Sequence, residues 1–184
     1  MSKVFPGTVI ETTAIEKESS KRLFDGIFAA GGITLSQVSV MTNLEPYLIQ
    51  NWVKRGFLTS PQKRMYSKDQ FARILIINML RETLQIEKIC ELIKIIGGLP
   101  EDPDDDMISD SELYHRYVDM ISDMRSDILG NEDVKRAAQL ASEDFVENIP
   151  NSRQKLERIL EIMLYAQTAS TLKKKAEEIF STLQ

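Results

Sequence analysis

The chain of 184 residues is poor in the groups that most protein chemistry needs. It has one cysteine, Cys90, so no disulfide can form within it, and nothing argues against a reducing cytoplasm. It has one histidine, His115, with no His/Cys partner at zinc-ligand spacing. Flanked by Glu112, Arg116 and Asp119, His115 reads as a solvated surface residue. Cys90, between Ile89 and Leu92 on a helical pattern, reads as a small buried one. No run approaches the roughly 20 apolar residues of a membrane helix, and the first residues lack the apolar core of a signal peptide. Gly31-Gly32 and Gly97-Gly98 are isolated helix ends with no phosphate-loop pattern around them. Asp102, Asp104 and Asp106 alternate as in a calcium loop, yet Met107 and Leu113 stand where that loop needs Gly and Glu. These absences point away from an enzyme and from any metal or cofactor.

What the sequence does have is concentrated at residues 33–68. Thr34 with Gln37 makes a helix-capping box, and Leu35, Val38 and Met41 give the helix an apolar face. Thr42-Asn43-Leu44 interrupts, with Asn43 suited to a left-handed turn. Glu45 and Pro46 open a second helix with Leu48, Ile49, Trp52 and Val53 on its inner side, stopped by Gly56. Trp52 reads as a core anchor. Two short helices joined by a tight turn make a helix-turn-helix, whose second helix can enter a DNA major groove. Phe57-Leu58, the polar basic turn at 59–64 and Met65-Tyr66 then read as a small two-stranded wing. Ser67 with Gln70 caps the next helix. Five basic residues (Lys54, Arg55, Lys63, Arg64, Lys68) and one acid give this stretch a balance of +4 in a chain of net charge −5. Such a local basic patch is the footprint of phosphate binding.

The order Ile33-Thr34-Leu35-Ser36-Gln37-Val38, Gly56-Phe57-Leu58, Pro61, Arg64-Met65-Tyr66, Asp69-Gln70-Phe71, Leu80-Arg81 and Ile86-Glu87-Lys88-Ile89 resembles the DNA-binding domain of MerR-type regulators. More narrowly, Ile49-Gln50-Asn51-Trp52-Val53-Lys54 and Lys63-Arg64-Met65-Tyr66-Ser67-Lys68 resemble an uncharacterised bacterial family, a domain of unknown function related to MerR. The resemblance covers residues 15–95. It departs from the MerR pattern at Tyr47 and Gln50, where arginines are usual, and at Trp52, where tyrosine is. It implies a winged helix-turn-helix that binds double-stranded DNA. Lys54, Arg55, Lys63, Arg64 and Lys68 would meet phosphates, and Tyr47, Gln50 and Asn51 would face base edges. Tyr66 of the Arg-x-Tyr motif completes the set.

The rest of the chain reads as mainly helical, giving an all-α fold with a small β wing. An arm at 1–13 precedes a winged-helix domain at 14–96, whose first helix runs over about 14–30. Helices follow at about 67–81 and 86–96, the first apolar on more than one side and so the most buried. Residues 97–108, with Pro100, Pro103 and clustered acids, read as a solvated linker. A C-terminal helical domain at 109–184 would begin with a helix from Ser109, capped with Glu112, to Leu129. Helices at 131–146 and from Asn151 to Leu183 complete it. Residues 95–184 hold ten basic and nineteen acidic residues, which argues against this half gripping DNA. Its long last helix is apolar along most of its length, so the expectation is a homodimer through the C-terminal helices, with an effector or protein partner as a further possibility. The functional reading is a cytoplasmic transcriptional regulator. The alternative is a non-enzymatic interaction module that turns the same basic face to an acidic protein.

Overall fold

A computed structural model describes residues 3–97, 106–124 and 130–183. Eight helices and two small antiparallel sheets lie among them: β1 (Lys3–Val4), β2 (Glu11–Thr12), α1 (Ser19–Ile27), β3 (Ile33–Thr34), α2 (Leu35–Thr42), α3 (Pro46–Lys54), β4 (Met65–Tyr66), α4 (Lys68–Leu80), α5 (Ile86–Ile96), α6 (Asp110–Ser122), α7 (Asn131–Ala141) and α8 (Ser152–Ser181).

α4 is the axis of the molecule. Phe71, Ala72, Ile74, Leu75, Ile76, Ile77, Met79 and Leu80 are all buried, which uses almost its whole circumference. Ser67 and Gln70 form the expected capping box at its start. α2 packs on one side of it, α6 and α8 on others. α2 and α3 begin and end where the caps place them. Thr34 and Gln37 cap α2 reciprocally, Asn43 takes the left-handed conformation at φ 54°, and Pro46 opens α3.

Several expectations are corrected. The N-terminal arm is a hairpin, with Lys3 opposite Thr12 and Val4 opposite Glu11. Pro6 and Gly7 are its turn, buried Phe5 anchors it, and Tyr114 donates a 2.8 Å hydrogen bond to the Pro6 carbonyl. α1 starts at Ser19, not near Ala14. Ser20 is buried near its first turn. His115 is buried too, not solvated: its Nδ1 lies 2.9 Å from Ser20 Oγ and its ring meets the edge of Phe24 at 4.8 Å. Burial lowers its pKa. Cys90 is half-buried, and burial raises its thiol pKa. α6 ends at Ser122, short of the expected Leu129, and residues 125–129, including Ile128, lie outside the described residues. α7 ends at Ala141, after which a turn brings Phe145 back into the core.

The stretch at 97–108 is described only at its two ends. Residues 98–105, with Pro100, Pro103, Asp102 and Asp104, lie outside the described residues. Its end is not solvated, because Met107 and Ile108 are buried and the Met107 amide donates to the Ile96 carbonyl at 2.9 Å. The elements on either side share one hydrophobic core running from Phe5 to Ala166. Polar contacts cross as well: Arg73 Nε meets Asp110 Oδ2 at 2.8 Å, and Asp69 Oδ1 accepts from the Ser111 amide and hydroxyl at 3.0 and 2.6 Å. α6 is therefore packed against α1 and α4.

Candidate nucleic-acid interface

α3 is a short helix held from beneath. Ile49 is fully buried and Trp52 is 5% exposed, so the helix presents one face inward as its spacing predicts. The turn before it is stapled by side chains. Thr42 Oγ1 donates to the Val38 carbonyl at 2.8 Å and accepts from the Leu44 amide at 3.3 Å. Ser39 Oγ donates to the Leu44 carbonyl at 2.5 Å. The outward face then carries Tyr47, Gln50, Asn51 and Lys54, all exposed and three or four residues apart, a single stripe on a helix.

The basic turn is built differently from the expected wing. Met65-Tyr66 does not pair with Phe57-Leu58; Ile33 lies opposite Tyr66 and Thr34 opposite Met65. The hairpin at the turn itself is a single bridge between Gln62 and Met65, with the Met65 amide donating to the Gln62 carbonyl at 2.8 Å. The two residues between them, Lys63 and Arg64, have φ of 50° and 65°. Positive φ at both central positions is the type I′ turn, which favours Asn-Gly because side chains with a Cβ are strained there. Holding Lys and Arg in that conformation costs roughly 1–2 kcal/mol per residue.

Two features hold the tip in place. Gln70 Oε1 accepts from the Ser67 amide, while its Nε2 donates to the carbonyls of Thr59 and Ser60 at 3.0 and 3.1 Å. One side chain therefore caps α4 and clamps the loop at the base of the turn. Gly32 lies where β4 passes, and a Cβ there would fall 2.8 Å from Met65 Cβ and 2.9 Å from the Tyr66 carbonyl.

Eight of the nine sequence candidates are exposed: Tyr47, Gln50, Asn51, Lys54, Arg55, Lys63, Arg64 and Lys68. Tyr66 is the exception. It is 3% exposed and its phenol pKa is raised by burial, so it is a core residue beneath the turn. Lys68 reaches Asp25 at 2.8 Å, a bond that lowers the Asp25 pKa, and Arg55 lies 3.8 Å from Glu87 and over the Phe57 ring. Both pairs are solvent-exposed and weak enough to exchange for a phosphate. Arg55 and Lys63 border one cleft of about 1010 Å³, which joins the end of α3 to the turn. Tyr47 adds apolar surface to this face at 64% exposure, and Val40 on α2 is 73% exposed. Val40 was not a candidate; its position off the apolar stripe of α2 was the available signal.

Among the described residues no three His, Cys, Asp or Glu side chains are grouped to hold a metal, and no helix is long and apolar enough to cross a membrane. Residues 31–117 match the model of a family described as a domain of unknown function, DUF1836. The matched span runs from the glycines before β3 through most of α6, crossing 97–108 and leaving out the N-terminal hairpin, α1, α7 and α8. No curated protein and no solved structure matches the chain.

Proposed function

We propose that the exposed stripe of α3 and the Lys63–Arg64 turn bind double-stranded DNA, in the manner of a winged helix-turn-helix, and that the protein regulates transcription. The carrying observation is the pair of cations held at positive φ on the tip of the turn. A fold with no demand on that tip would do better with Asn-Gly, whereas phosphate binding makes use of the charge. α3 supplies the reading face. Gln50 and Asn51 are exposed on it, and each can pair bidentately with adenine. Lys54 and Arg55 follow at its end, where they would meet backbone phosphates.

The second reading is an acidic protein partner on the same face. Exposed Tyr47 favours it, since a protein would cover apolar surface that a phosphate backbone would not. Incubating the pure protein with fragmented genomic DNA and sequencing what it retains separates the two. The DNA reading expects enrichment of a short shared motif, and Asn51→Ala should weaken binding to that motif by about 1–3 kcal/mol while barely affecting random duplex. No retained DNA at low salt favours the protein partner.

A further inference from the structure

α8 carries two apolar stripes, one buried against its own chain and one exposed, apart from the Tyr165 hydroxyl, which donates to Asn131 Oδ1 at 3.0 Å. Leu156, Ile159, Leu160, Met163, Leu164 and Ala166 are buried against the body. On the opposite side Ile162, Tyr165, Ala169, Leu172, Ala176 and Ile179 are all exposed. Their spacing alternates three and four residues without a break, the seam of a two-stranded coiled coil. The sequence alone merges the two stripes into one irregular pattern; burial separates them. From Leu172 onward every residue of α8 is exposed, including Phe180 at 62%, so this end projects without apolar cover from the described residues.

We infer that this outer seam pairs two copies of the chain antiparallel, the projecting end of each α8 lying along the seated half of the other. Two observations select a second copy. The first is length: three seam residues lie on the seated half (Ile162, Tyr165, Ala169) and three on the projecting half (Leu172, Ala176, Ile179), so two copies satisfy each other reciprocally. The second is size. In an antiparallel pair alternate seam positions face each other, which sets Ala169 against Leu172, Tyr165 against Ala176 and Ile162 against Ile179 of the second copy. Two of the three layers then combine a small with a large side chain, which keeps the helices evenly spaced. A parallel pair would set alanine on alanine beside leucine on leucine. The seam lies outside the span matched by the family model and does not depend on what the basic face binds.

The test uses the full chain. Sedimentation equilibrium at tens of micromolar without DNA should give a dimer, and Leu172→Glu should give a monomer with unchanged helical circular dichroism. A monomeric wild type overturns the inference, as does a Leu172→Glu variant that remains dimeric. Orientation is read in a Cys90→Ser background by mixing Ile162→Cys with Ile179→Cys under mild oxidation. Disulfide-linked dimers should form in the mixture and not from either variant alone. Efficient self-linking of the Ile179→Cys variant would overturn the antiparallel arrangement.

Discussion

At the scale of single residues, the Lys63–Arg64 tip predicts a conflict between stability and binding. The double substitution Lys63→Asn, Arg64→Gly installs the pair that a type I′ turn prefers. It should relieve the positive-φ strain and raise unfolding stability by about 2 kcal/mol in urea titration. The same change should weaken duplex binding. A variant that is no more stable would remove the argument from strain. Buried titratable groups make a second residue-scale prediction. Asp110 is 8% exposed; burial pushes its pKa up to about 6, more than Arg73 beside it pulls it down. A carboxyl whose folded pKa is raised adds stability that is complete below about pH 4 and lost as pH rises through about 6, a difference of about 3 kcal/mol. His115 acts in the opposite sense. Its folded pKa lies below its usual 6.5, so it withdraws stability as pH falls through that value. Chemical denaturation from pH 4 to 7 should therefore show Asp110→Asn removing the loss between pH 4 and 6, and His115→Gln removing the loss just below 6.5. Neither group was visible in the sequence. Charged neighbours made His115 look solvated, but the ring is drawn inward by Phe24 and Ser20 from a helix 95 positions earlier.

At the scale of elements, legibility followed the range of the interaction. Caps are local, so Thr34 with Gln37, Ser67 with Gln70, Pro46 and Gly56 marked helix ends that the structure reproduces, and α5 runs over the residues its periodicity gave. Strand pairing is not local. Met65-Tyr66 looked like the return of a hairpin from Phe57-Leu58, yet its partner lies before α2, at Ile33-Thr34. The N-terminal hairpin was hidden for the same reason, since what fixes it is the buried Phe5 and bonds to Tyr114 and Asn78. Most of the candidate interface was legible because surface polarity on a capped helix is a local property. The left-handed turn was not, because neither central residue is Gly or Asn. Gln70 joins the two ranges. Gln70→Glu should keep the cap acceptor while removing the donor that clamps Thr59 and Ser60. Hydrogen exchange should then rise at residues 59–65 with little change at the start of α4. Equal loosening of both would assign Gln70 to the cap alone.

At the scale of the whole molecule, α6 belongs with α4. The single core, the Arg73–Asp110 pair and the family match through residue 117 all cross the stretch that composition marked as a boundary. A chain truncated after Ile96 would leave the α6-facing side of α4 exposed, and it should lose a cooperative unfolding transition; a truncated chain that melts sharply would restore two independent parts. The segment of α2, α3 and the basic turn is thus carried on a larger body whose acidic portion follows it in the chain. The most direct measurement of the central proposal is duplex affinity against salt concentration, for the wild type and for the Lys63→Ala, Arg64→Ala double variant. Five phosphate contacts from Lys54, Arg55, Lys63, Arg64 and Lys68 predict that log affinity falls with log salt at a slope of about −4 to −5 per chain, and the double variant should flatten it by about 2. An unchanged slope, or no duplex binding by the wild type at low salt, would contradict the DNA-binding account.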